Sequence, residues 1–217
     1  MKRTMMIFAL CLSFGTIFAQ SAVELKNAGN AALEAKDYKK ALENYDKALA
    51  AWGNEPQNNI MINNAGACAY KLKEYQKAIK YFDLLIAAKA ESEATYVYKA
   101  NSYKMLKKDE DCVKAFNDGL AKYPESASLK DGLCKYYRGE AKNRYFAGNK
   151  IFEAATAKVN AQKLKPTDPA YLAEAAKAKK EFTTAVSLTD KALAINPADD
   201  EAKKTKAACE QNLKVLP

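Results

Sequence analysis

A five-residue block recurs along this chain, and its recurrence restricts the possible fold more than any other feature. Asp37-Tyr38-Lys39-Lys40-Ala41 is matched by Glu74-Tyr75-Gln76-Lys77-Ala78. Each alanine is followed four residues on by an aromatic ring, Tyr45 or Phe82. Each is preceded twelve residues earlier by a glycine, Gly29 or Gly66. A third copy carries Ala100, Cys112, Phe116 and Pro124, a fourth Ile151, Ala154, Ala161 and Pro166, and a fifth Phe182, Ala185, Ala192 and Pro197. The small residues Ala41, Ala78, Cys112, Ala154 and Ala185 recur at spacings of 37, 34, 42 and 31. A period in the mid-thirties is that of two short helices joined by a turn. One such pair cannot bury its apolar face alone, so successive pairs must stack.

The residue types fit that packing. Antiparallel helices approach closely only where small side chains meet, as Gly29, Gly66 and Ala100 do on the first helix of each pair and Ala41, Ala78 and Cys112 on the second. Tyr38, Tyr75 and Phe182 fall at the corner between helices, and Ala48, Ala161 and Ala192 face the next pair. Pro124, Pro166 and Pro197 end second helices, because proline cannot continue a helix. At these residues the sequence resembles the tetratricopeptide repeat (TPR) family, over roughly residues 22–198.

The resemblance implies an all-α fold, a right-handed α-solenoid of about five TPR-like helix pairs with a C-terminal capping helix. The pairs are expected at about 22–58, 59–92, 93–126, 127–168 and 169–198, with the cap at 199–217. Departures in length carry information. The first pair has three extra residues around Trp52-Gly53-Asn54, and a lone tryptophan there is either packed under the loop or a contact for self-association. The fourth is about eight residues long in excess, which predicts a first helix from Ser126 to Ala147, with Gly132 and Gly139 as candidate bends. The fifth is three residues short between Ala178 and Phe182.

In this family the first helix of each pair lines the concave face, where partners lie. By register, that face would carry Val23, Lys26, Asn30, Leu33 and Glu34 in the first pair. The second would contribute Asn63, Asn64, Ala67, Tyr70 and Lys71, and the third Val97, Tyr98, Asn101, Lys104 and Met105. The candidate partner-binding set is Lys26, Asn30, Asn63, Asn64, Tyr70, Lys71, Tyr98, Asn101 and Lys104. Amides bond peptide backbone, tyrosines offer rigid contact area and lysines favour an acidic ligand. Some family members clamp the C-terminal carboxylates of a peptide. Lys26, Asn30 and Asn64 match three of the clamp positions, while Ala94 and Tyr98 stand where two basic residues belong. These residues read either as a partial clamp or as ordinary repeat residues. Tyr38, Tyr45, Tyr75 and Tyr81 read as packing.

Composition excludes several chemistries. The chain has no histidine, so no histidine base, triad or metal ligand is available. Its formal net charge of +9 rests on lysine, with only Arg3, Arg138 and Arg144 to supply the bidentate contacts that nucleic-acid readers use. No cofactor, metal or nucleic acid is expected. Paired carboxylates could in principle hydrolyse glycosides, and Asp109, Glu110 and Asp111 are the candidates, placed in the turn of the third pair. Lysine runs at Lys177, Lys179, Lys180, Lys203 and Lys204 supply the alternative reading, attachment to anionic envelope lipid or polysaccharide.

Lys2 and Arg3 precede an uncharged, mostly apolar run from Met5 to Ala19, which reads as an export signal over residues 1–21, cut after Ala19 or Ser21. Such a protein is expected in the periplasm or on the surface of a Gram-negative cell. Cys68, Cys112, Cys134 and Cys209 show no CxxC spacing and read as buried small residues or as one disulfide. The expected function is a non-catalytic scaffold for protein or peptide partners.

Overall fold

The computed structural model describes residues 21–53 and 58–217, so the signal reading over Lys2 to Ala19, and Asn54 and Pro56 of the first insertion, lie outside the described residues. Among the described residues there are nine helices and no strand. They are α1 (Ala22–Glu34), α2 (Tyr38–Ala51), α3 (Asn59–Lys71), α4 (Tyr75–Ala87), α5 (Glu93–Met105), α6 (Asp109–Lys122), α7 (Ala127–Asn160), α8 (Pro169–Ile195) and α9 (Asp200–Val215).

Side-chain caps start several of the helices. Ser21 and Glu24 form a reciprocal capping box on α1, with bonds of 2.9 and 3.2 Å. Asp37, Asn58, Ser126 and Asp199 each accept from the backbone three residues on, capping α2, α3, α7 and α9. The turns within the first three pairs share one form. Lys36, Lys73 and Lys107 take φ of 59°, 64° and 57°, the left-handed conformation usually given to glycine. Their amides, and the next residue's, return to the helix just ended, as in Lys73 N to Tyr70 O at 3.0 Å and Glu74 N to Ala69 O at 2.8 Å.

Small residues then bring the helices together. A Cβ on Gly29 would stand 2.5 Å from the Tyr45 ring, and one on Gly66 2.8 Å from the Phe82 ring. Ala41, Ala78, Ala100 and Cys112 are fully buried. One core cluster joins α1–α4, and Leu33, Tyr38, Trp52, Tyr70 and Tyr98 lean on it. A second joins α5, α6 and the start of α7.

The all-α solenoid continues past Ser126 in a different form. The spacing predicts a break after Ala147 and another between Ala178 and Phe182. Instead α7 runs unbroken for 34 residues, roughly 50 Å, and α8 for 27. Neither stretch holds a helix stop. Ala178-Lys179-Lys180-Glu181 are strong helix formers. Gly148 lacks the left-handed φ of a helix terminator, and its missing side chain makes room for the Phe182 ring, which would lie 2.7 Å from a Cβ there. Gly132 likewise admits the Phe116 ring, at 2.5 Å. The residues read as the fourth and fifth pairs thus build one antiparallel hairpin. Phe182, expected at a corner, is buried in mid-helix, and Ala161 is an exposed C-cap. The last helix, α9, packs on α8 and α7 and buries only Ala202 and Cys209.

Candidate functional site

The nine candidate residues sit on the first helices of three successive pairs: Lys26 and Asn30 on α1, Asn63, Asn64, Tyr70 and Lys71 on α3, Tyr98, Asn101 and Lys104 on α5. Helix α3 touches α5, and α5 touches α7, while α1 is joined to α3 through α2, so the three first helices follow one another in order. On α3 the buried residues Met61, Ile62, Ala65, Gly66, Cys68 and Ala69 occupy one side. Asn63, Ala67, Tyr70 and Lys71 therefore fall on the other side, by helical period.

Tyr70 and Tyr98 come together at the centre of the row. Their ring centroids are 5.1 Å apart, edge to face at 64°. Tyr98 stacks on the buried Phe82 at 5.8 Å, and Tyr70 meets Tyr75 at 5.7 Å. Edge-to-face and offset stacks are favourable arrangements, so the two rings are fixed before any partner arrives. Both are half-buried, and among the described residues neither hydroxyl has a hydrogen-bond partner. Burial pushes the Tyr70 phenol above its ordinary value, so it stays a neutral donor.

Two of the three residues matching the clamp are engaged inside the protein. The buried Tyr45 hydroxyl donates to Asn30 Oδ1 at 2.9 Å, and the Asn64 side chain lies close enough to the same hydroxyl to favour its ionised form. These amides tie α1, α2 and α3 to one another. Lys26 lies on the same helix, half-exposed.

Lys77 pairs with Asp46 at 2.6 Å and Lys99 with Asp83 at 2.6 Å, both between helices. Among the described residues Lys26, Lys71 and Lys104 pair with no carboxylate. Lys104 stands 6.0 Å over the Tyr136 ring. The row also exposes one large apolar side chain per helix: Val23 on α1, Ile60 on α3 and Met105 on α5. Sequence reasoning placed Val23 and Met105 in this register but missed Ile60, whose signal was its place four residues before Asn64 on an otherwise polar stripe.

Other candidates take different places. Asp109, Glu110 and Asp111, expected in a turn, form the exposed first turn of α6, where carboxylates face the positive end of the helix. Of the lysine runs, Lys177 pairs with Glu174 and Lys203 with Asp200, while Lys179 reaches the Pro217 carbonyl. The four cysteines are buried and free. Burial pushes the Cys68 thiol up to about 11 and the Cys112 thiol up to about 12, so both stay protonated and act as small apolar groups. No group of residues able to hold a metal, and no helix long and apolar enough to cross a membrane, is present among the described residues.

Comparison with known proteins follows the same lines. The family profile described as tetratricopeptide repeat matches residues 26–93. A Dictyostelium discoideum protein described as STIP1 homolog is 30% identical over 138 residues, which are 63% of this chain and 24% of that protein. The chain therefore spans about a quarter of that relative's length. A solved TPR repeats protein from Bacteroides fragilis is 24% identical, covers 89% of this chain and 99% of its own, and superposes with a TM-score of 0.52. The first TPR of Spaghetti (RPAP3), solved bound to the HSP90 peptide SRMEEVD, is 24% identical over 54% of this chain and 90% of its own, with a TM-score of 0.46.

Proposed function

We infer, for a chain whose residues 26–93 match the tetratricopeptide repeat profile, that it is a protein-interaction scaffold holding an acidic peptide or protein segment against the row of α1, α3 and α5. The observation that carries this reading is the coincidence of a fixed Tyr70–Tyr98 pair with three lysines that have no carboxylate of their own. The tyrosines give contact area without further ordering cost, because their neighbours already hold them. Their free hydroxyls and the Asn63 and Asn101 amides can bond a peptide backbone. Lys26, Lys71 and Lys104 set the preference for negative charge and speed the encounter. Val23, Ile60 and Met105 add apolar contact. The signal-like stretch from Lys2 to Ala19 supports work in the cell envelope.

The test reverses charge where no internal contact is lost. A Lys26→Glu, Lys71→Glu variant should melt like the parent chain. It should capture its envelope partners at least about tenfold more weakly, and capture by the parent should fall with salt. Equal capture by both would contradict the assignment. Salt-sensitive sedimentation of both with anionic lipid vesicles, and no protein partner, would favour the lysine-attachment reading instead.

A further inference from the structure

We propose that the precursor is cut between Ala19 and Gln20, so that the exported chain begins at Gln20 and keeps Ser21 as the cap of α1. This rests on the export reading of residues 1–21. Removal of an export signal takes place beside small residues, and two peptide bonds qualify. One follows Ala19, and the other follows Ser21, with Ala19 three residues before the cut. The sequence leaves the two equal. The folded chain separates them, because Ser21 belongs to the start of α1 and not to the segment that is removed.

Ser21 is held by all of its polar groups. Its backbone N–H donates to Glu24 Oε2 at 2.9 Å, its hydroxyl accepts from Glu24 N at 3.2 Å, and its carbonyl accepts from Leu25 N at 3.0 Å. Its backbone is extended, with φ −65° and ψ 154°, as a residue leading into a helix from outside must be. The first two bonds are reciprocal, and the hydroxyl satisfies an amide of the first turn that has no partner within the helix. The bond from the Ser21 N–H makes the strictest demand, because that group is a peptide amide only while residue 20 stays attached. A chain cut after Ser21 loses all of these bonds. It begins instead with the charged amine of Ala22, the first residue of α1, at the positive end of the helix. The damage would reach the core. Leu25, whose amide the Ser21 carbonyl accepts, is 7% exposed and belongs to the cluster that joins α1–α4. Lys26 and Asn30 of the candidate row follow on the same helix. A cut after Ala19 disturbs none of these groups, and the new amine then belongs to Gln20, outside the first turn.

The test uses the full chain, expressed from Met1 in Gram-negative cells and recovered from the periplasmic and cytoplasmic fractions. Its first residue is read by intact mass and N-terminal sequencing. The expected product is periplasmic and begins at Gln20. A periplasmic product beginning at Ala22 overturns the proposal and leaves the export reading in place. A chain that keeps Met1 and stays in the cytoplasm removes the export reading and the proposal together. A second measurement addresses the physical reason for the choice. Chains starting at Gln20 and at Ala22, and a Ser21→Ala form of the longer one, are compared by hydrogen exchange at the α1 amides beyond Leu25. Protection should fall about fivefold in the chain from Ala22, and by less in Ser21→Ala, which keeps the backbone bonds of residue 21. Equal protection in all three chains overturns the proposal, because the cap then gives no reason to prefer either cut. The groove reading stands or falls separately, on partner capture by the Lys26→Glu, Lys71→Glu variant.

Discussion

Phe82→Ala is expected to destabilise the chain by about 3–5 kcal/mol, read as a lower midpoint in urea unfolding. The ring is fully buried and lies where a Gly66 Cβ would otherwise be, so both sides of the contact are committed to it. The backbones of α3 and α4 are already in close approach and cannot collapse much further into the space left behind. The effect reaches the candidate site, because Tyr98 stacks on Phe82 and Tyr70 leans on Tyr98. Loss of the ring should loosen both tyrosines and weaken partner capture, even at temperatures where the variant stays folded. Phe82→Leu keeps most of the volume and should cost under about 2 kcal/mol. Equal stability of Phe82→Ala and the parent would mean that the α3–α4 core is not packed as described.

The second large effect is expected at Asp199. Its side chain is only 4% exposed and serves three elements. One oxygen caps α9 by accepting from Ala202 N at 3.0 Å, and the other accepts from Arg138 Nη1 at 3.0 Å and lies 3.4 Å from Cys134 Sγ. Asp199→Ala removes the cap and leaves the Arg138 guanidinium, itself largely covered, with only Glu201 for a partner. Breaking a buried pair from one side costs about 3–5 kcal/mol. Asp199→Asn keeps a capping oxygen and should recover about 1 kcal/mol of that.

The same carboxyl gives α9 a pH dependence. Burial alone would raise the Asp199 pKa, but the Ala202 amide, the Cys134 thiol and Arg138 hold it below its ordinary value. A carboxyl lowered on folding stabilises the fold above the usual carboxylate range, and the contribution is lost as pH falls through the folded value. The gap in stability between the parent chain and Asp199→Ala should therefore be widest near neutral pH and shrink in acid, measured by denaturant titration across that range.

These residues also show what could be read from the sequence. Gly29, Gly66, Ala41, Ala78 and Cys112 announced the first three pairs, because close helix approach demands small side chains at fixed intervals and tolerates little else. The same demand misled beyond Ser126. A long hairpin also needs small residues where its helices touch, so Gly148 and Ala185 fit either architecture. Only the absence of any stop signal around Ala147 and Lys180 favoured unbroken helices. The turns at Lys36, Lys73 and Lys107 gave no glycine to find, since backbone hydrogen bonds hold a lysine in the left-handed region there. At the candidate site, register was enough to place the lysines and tyrosines on one row. It could not show that Asn30 is engaged by the Tyr45 hydroxyl with Asn64 beside it, because that depends on where two neighbouring helices cross.

The claim at the centre of this account is that partners meet the chain on α1, α3 and α5. The most direct test places a photo-crosslinking residue at Asn63 or Lys71, both exposed on α3, and in a separate chain at Lys47, exposed on α2. Each chain is irradiated in intact cells and its adducts are identified by mass. The account predicts a shared protein adduct from positions 63 and 71 and none of that protein from position 47. The same adduct from position 47 alone, with positions 63 and 71 silent, would contradict it.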